Sequence, residues 1–147
     1  MTGRETILEA LDRAGYHVTE PRRTIAGLVA GREGRFSADQ LVREASRVPR
    51  PVGRATVFRS LEIFESLGLV ERVHLERGGH AYVACDPERH HHHVVCRRCG
   101  RTADVGDVGI APIASAVEER TGFVVDSHRI EFLGLCPDCR ARLAESP

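Results

Sequence analysis

The chain has 147 residues, 41% of them apolar and none tryptophan, with 21 basic residues balanced by 21 acidic ones. That length allows one domain or two small ones, whose modest cores need help from a metal or a partner. Zero net charge gives no global argument for nucleic acid, no apolar run approaches the ~18 residues of a membrane span, and the first residues carry no expectation of a signal peptide. The expectation is a cytoplasmic protein, where thiols stay reduced and paired cysteines hold metal. All basic residues are arginine, 13 of them in residues 1–85 against 11 acids and 8 in residues 86–147 against 10. The sign of that small excess suits a DNA contact in the first half.

Residues 5–14 carry Ile7, Leu8 and Leu11 at helical spacing and stop at Gly15. Thr19 reads as the N-cap of a second helix with Pro21 in its first turn and Ile25, Leu28 and Val29 inside, closed by Gly31 and Gly34. Ser37 opens a third helix with Leu41, Val42 and Ala45 apolar, ending near residues 48–51. A fourth, from Arg54 to Leu67, puts Val57, Leu61, Phe64 and Leu67 on one stripe before Gly68. Residues 69–75 and 80–85 read as strands joined by Glu76-Arg77-Gly78-Gly79. Three helices and a two-stranded wing make the order of a winged helix-turn-helix, whose last helix enters the major groove. Arg54 and Arg59 lie on the polar side of that helix, with Thr56 and Phe58 available to base edges or methyl groups. The bland alternative is a three-helix bundle with a solvated arginine face.

Asp86-Pro87 marks a boundary, giving a DNA-binding domain over 1–85 and a metal-binding domain over 86–147. In the latter, residues 90–96 and 101–105 read as strands, Ile110 to Thr121 as a helix ended by Gly122, and 123–133 as a further strand.

Cys96/Cys99 and Cys136/Cys139 form two Cys-x-x-Cys turns. Each is a knuckle with converging sulfurs, and two knuckles complete a tetrahedron around Zn²⁺. Four sulfurs close the shell, so this metal is structural and supplies folding energy that the core lacks. Gly100 gives the turn its backbone freedom, and Arg97, Arg98 and Arg140 are placed to offset thiolate charge. Disulfides or a redox pair are the competing readings.

Cys85 and the run His90-His91-His92-His93 supply further soft and borderline donors. On a strand, His90 and His92 point one way and His91 and His93 the other, so one run feeds two sites. Cys85 can fold back beside His91 and His93, with Glu71 or His74 as fourth ligand; a sulfur, two imidazoles and a carboxylate favour Zn²⁺ over Fe²⁺. His90 and His92 pair with His128 as a possible third site. The alternative is a surface histidine cluster beside a buried free cysteine.

Four landmarks resemble the ferric-uptake-regulator (Fur) superfamily of bacterial metal-dependent repressors: Thr19-Glu-Pro-Arg22-Arg23; Ala55-Thr-Val-Phe-Arg-Ser60 with Leu67-Gly-Leu-Val70; His90-His-His-His-x-x-Cys96-x-x-Cys99; and His128 followed by Cys136-x-x-Cys139. The resemblance implies an α+β fold, an N-terminal winged helix-turn-helix followed by a small α/β dimerisation domain with a structural four-cysteine zinc site. It also implies a homodimer on a palindromic DNA operator, Arg22 among its DNA contacts, and two to three Zn²⁺ per chain. Iron and peroxide sensors of the superfamily usually carry a carboxylate at position 85 and a histidine near 37; this chain has Cys85 and Ser37. Cys85 and Glu71 match the zinc-uptake (Zur) branch, which makes Glu71, Cys85, His91 and His93 the sensing site. Two departures stand out: Ala111 replaces a glutamate of the additional site, with Asp107 nearby, and Phe58 replaces a tyrosine of the recognition helix.

The expected mechanism is a population shift, in which sensor zinc holds the paired readers at half-site spacing and represses zinc-uptake genes. No catalytic residues and no small-molecule substrate are expected. A zinc hydrolase needs an open metal position and a general base, and the chain has no His-Glu-x-x-His or Ser/His/Asp arrangement. An iron- or peroxide-sensing regulator, or a zinc-storage or chaperone module, are the remaining alternatives.

Overall fold

The computed structural model describes residues 3–75, 78–86, 92–106, 108–128 and 130–144. Glu76, Arg77, Pro87, His90, His91 and Asp107, each invoked above, lie outside the described residues. The chain divides into two compact units, Met1–Arg89 and His90–Pro147.

The first unit runs α1 (Arg4–Arg13), α2 (Glu20–Val29), β1 (Arg35–Phe36), α3 (Ala38–Ala45), α4 (Arg54–Ser66), β2 (Val70–His74) and β3 (His80–Ala84). Thr19 and Ser37 cap α2 and α3 by accepting from the N–H groups of Arg22 and Gln40, which satisfies donors that a helix start leaves open. Residues at i, i+3 and i+4 face inward: Ile7 and Leu11, Ile25 and Val29, Val57, Leu61 and Phe64 are buried in one cluster. The three antiparallel strands lie in the order β1-β3-β2. This is a winged helix-turn-helix, with the β2–β3 ribbon as its wing. Strand β1 went unseen in the sequence because two residues carry no readable period.

The ribbon has two unlike faces. Val70 and Tyr82 join the helical core, with Tyr82 stacked on Phe36 at 5.9 Å between ring centroids. The alternate positions Glu71, Val73, Ala81, Val83 and Cys85 look the other way; all but Glu71 are buried, yet none belongs to that cluster.

The second unit contains β4 (His92–Cys96), β5 (Thr102–Gly106), α5 (Ala111–Thr121), β6 (Glu131–Gly134) and α6 (Pro137–Ala144). Its sheet has the order β5-β4-β6, with β4 antiparallel to β5 and parallel to β6. Helix α5 carries Pro112 in its first turn and ends at Gly122, whose φ of 74° places it in the left-handed region open to glycine. The strand expected over 123–133 is cut to Glu131–Gly134. Apolar rhythm does not reveal whether a neighbour is present to receive hydrogen bonds, and among the described residues β4 offers rungs from His93↔Glu131 to Cys96↔Gly134. Phe123 and Val124, outside any strand, are 75% and 88% exposed. Among the described residues no helix is long and apolar enough to cross a membrane.

Candidate metal centres and nucleic-acid face

Two strand ends position the four paired cysteines. Cys96 closes β4, and the pairing Cys96↔Gly134 sets the end of β6 beside it, with Cys136 two residues further on. Gly100, at φ 75°, lets its N–H return to the carbonyl of Cys96 at 2.8 Å, which closes the first knuckle. The second knuckle is the first turn of α6, where the N–H of Arg140 reaches the carbonyl of Cys136 at 2.9 Å. All four Sγ atoms lie within 4.8 Å of one another. Cys99 and Cys136 are 3.7 Å apart, sulfur to sulfur. A tetrahedron with ~2.3 Å Zn–S bonds has an edge of about 3.8 Å, whereas a disulfide needs ~2.05 Å. All five cysteines are free thiols, and the four paired ones fit a tetrathiolate Zn²⁺ site.

The thiols are inequivalent. Backbone N–H groups of Cys136 and Cys99 directed at Cys96 hold its thiol down to about 6. Burial, and then hydrogen bonding within the cluster, push Cys139 up to about 12. Such crowding favours one thiolate at the expense of its neighbours, and a divalent cation is what stabilises all four together. Sequence reading assigned the compensating charge to Arg97, Arg98 and Arg140, which are all exposed. It missed Arg101, whose guanidinium binds Asp138 at 2.6 Å and so ties the first knuckle to the second. The acid between Cys136 and Cys139 was the signal that pointed to it.

A second donor group forms on the first unit. The hydrogen bond from Cys85 N to Leu69 O extends the β2–β3 pairing by one rung, so Cys85 shares a face with Glu71. The ligand atoms of Glu71 and Cys85 are within 4.8 Å of each other. Cys85 is 6% exposed, with Sγ 3.5 Å from the carbonyl of Val83. His74, three residues from Glu71, points to the opposite face of the ribbon. In the second unit, His92 and His93 are both buried. The His92 ring lies 5.3 Å from that of His128, which brings together two of the three histidines of the possible third site. Ala111 begins α5 and is exposed. The β4–β5 register slips between His92 and His93, which pair with Gly106 and Asp104, as a bulge does where a strand re-aims its side chains.

Four of the five candidate DNA contacts are on the first half of α4. The buried stripe of Val57, Ser60, Leu61 and Phe64 leaves Arg54 and Arg59 exposed and Thr56 and Phe58 half-buried. The Arg54 guanidinium lies 4.9 Å from the centre of the Phe58 ring and pairs with Asp39 of α3 at 2.8 Å. Arg22 is engaged locally: it donates to the carbonyl of His17 and lies over Tyr16.

The profile of the ferric uptake regulator family matches residues 13–133. A zinc uptake regulation protein of Mycobacterium tuberculosis is 39% identical over 131 residues, covering 89% of this chain and all of the relative. A ferric uptake regulation protein of Legionella pneumophila is 35% identical over 133 residues, 90% of this chain and 97% of the relative. Among solved structures, the Vibrio cholerae ferric uptake regulator superposes with a TM-score of 0.63 at 29% identity, over 87% of this chain and 98% of that one. A zinc uptake regulator solved with zinc and DNA superposes with a TM-score of 0.75 over 98% of this chain and 99% of that one; at 24% identity it speaks to the fold alone.

Proposed function

The chain belongs to the ferric uptake regulator family of metal-responsive regulators, and from that membership we propose that it is a zinc-responsive transcriptional repressor of metal-uptake genes. It works in the cytoplasm as a homodimer on a palindromic operator. The observation that carries the zinc reading is the pairing of a carboxylate with a thiol, Glu71 beside Cys85, on one face of the wing. Thiolate sulfur selects Zn²⁺, whereas Fe²⁺ sites prefer nitrogen and oxygen donors. Glu71, Cys85, His91 and His93 hold the regulatory ion, and Cys96, Cys99, Cys136 and Cys139 the structural one. His90, His92 and His128 form the third site, which has Ala111 where a carboxylate would complete it.

A zinc ion at the regulatory site would supply one tether for side chains drawn from both units. The residues do the rest. Thr56 and Phe58 meet base edges and thymine methyls, Arg59 meets the duplex, and Arg54 exchanges Asp39 for a phosphate. The homodimer is supported by the second unit's uncovered apolar residues: Ile113 is 58% exposed, Phe123 75% and Leu133 53%. A second copy of the same face is the self-complementary cover that two-fold symmetry provides.

The test is to enrich genomic fragments with the zinc-loaded protein, then measure their binding in gel shifts while Zn²⁺ or Fe²⁺ is titrated and removed. Zinc should promote binding and a chelator should release it. Binding indifferent to metal would sink the regulator reading, and an equal or better response to Fe²⁺ would transfer it to the iron branch, to which the Legionella relative's name belongs. Arg59→Ala removes one contact from each protomer, so it should weaken binding and reduce the magnitude of the dimer's salt slope by about 2. An unchanged slope would move the DNA face off this side of α4.

A further inference from the structure

His74 and His80 face each other at the end of the β2–β3 ribbon, on the face opposite Glu71 and Cys85. Rungs of an antiparallel pair alternate between hydrogen-bonded and open. Bonds from Cys85 N to Leu69 O at 2.9 Å and from Leu75 N to Gly79 O at 3.2 Å mark bonded rungs at both ends of the ribbon. Counting inward from either end leaves 74/80 open. At such a rung the Cα atoms are only about 4.5 Å apart and the two side chains share one face. Both histidines are exposed.

Two residues further along β3, on the same face, the Tyr82 hydroxyl oxygen is 3.3 Å from His80 Nε2, with the two rings edge to face at 5.4 Å. With Nε2–H donating to that oxygen, the lone pair is left on Nδ1. An imidazole that binds a metal through one nitrogen normally donates its other N–H to a fixed acceptor. Tyr82 is such a fixture. It is 4% exposed, and Arg72 lies 5.7 Å from its ring centre while paired with Glu65 at 2.7 Å.

We propose that His74 and His80 form a site for one divalent transition ion of the borderline class, Zn²⁺, Ni²⁺ or Cu²⁺, with water completing the shell. Two neutral imidazoles and no thiolate make this an exchangeable site, unlike the four-sulfur centre. An ion there would cross-link β2 to β3 at the tip of the wing. The site follows from the register and does not depend on the regulator reading.

The test uses the full-length protein with its thiol sites first filled by Zn²⁺, titrated with Ni²⁺ as a paramagnetic probe. Imidazole signals of His74 and His80 should broaden first and together, ahead of His17, an exposed histidine of the same unit that serves as the measure of adventitious binding. His74→Ala and His80→Ala should each weaken the Ni²⁺ site in calorimetry by more than the roughly tenfold cost of losing an outer-shell partner. Both positions are exposed, so circular dichroism should be unchanged. Broadening of His17 in step with the pair, or Ni²⁺ affinity retained in either variant, would overturn the site.

Discussion

Cys96→Ser is expected to unfold the second unit while the amide signals of α1 to α4 stay in place. The apolar core of that unit is small: among the described residues its buried side chains are Val95 and Ile110 together with Cys96, Cys139, His92 and His93. Structural zinc contributes roughly 10–16 kcal/mol of apparent binding energy in small zinc domains, and whole domains are stable by only about 5–15 kcal/mol. Removing one of four ligands therefore removes a term as large as the stability itself. Cys96 is also the residue at which β4 meets β6, and backbone N–H groups directed at its sulfur lower its thiol to about 6. The measurement is an amide spectrum of the zinc-loaded variant together with metal content per chain. Dispersed signals from residues 92–144 with one zinc fewer would show that the sheet holds without the ion.

Cys85→Ser should have the opposite profile, with the fold kept and zinc-dependent DNA binding lost. Serine is nearly isosteric with cysteine, and its hydroxyl has an acceptor waiting, because the Val83 carbonyl is 3.5 Å from Sγ. Burial of the hydroxyl therefore does not leave it unsatisfied. As a ligand, a neutral hydroxyl is a poor substitute for a thiolate. Losing even an outer-shell partner costs about 10–100-fold in metal affinity, so a lost ligand should place zinc-dependent binding beyond a hundredfold higher zinc. Gel shifts across a zinc titration, with metal content alongside, check this. Wild-type zinc response in Cys85→Ser would remove that cysteine from the sensor and leave Glu71 without its partner.

Much of the architecture was readable because it is written in local chemistry. Thr19 and Ser37 cap the helices they were expected to cap, and the stripe of Val57, Leu61 and Phe64 faces the core. The paired cysteines converge because a Cys-x-x-Cys turn brings its own sulfurs together, whatever surrounds it. What escaped depends on partners distant in sequence. Strand β1 exists only because β3 accepts Arg35 and Phe36. The strand expected over 123–133 forms as Glu131–Gly134, where β4 supplies the rungs, and Arg101 finds Asp138 only once both knuckles fold. The choice between Glu71 and His74 beside Cys85 is likewise a matter of register, invisible until the ribbon's phase is known.

That phase restricts which length changes the wing can accept. Glu71 and Cys85 occupy one set of alternate positions and Val70 and Tyr82 the other, so deleting a single residue within β2 exchanges the sets. The carboxylate would then turn into the helical core while valine took its place beside the sulfur. Two-residue changes preserve the parity, and insertions at the tip around Gly78 and Gly79 leave both strands untouched. Functional descendants of this sequence should therefore vary freely at the hairpin tip and, within its strands, gain or lose residues only in even steps.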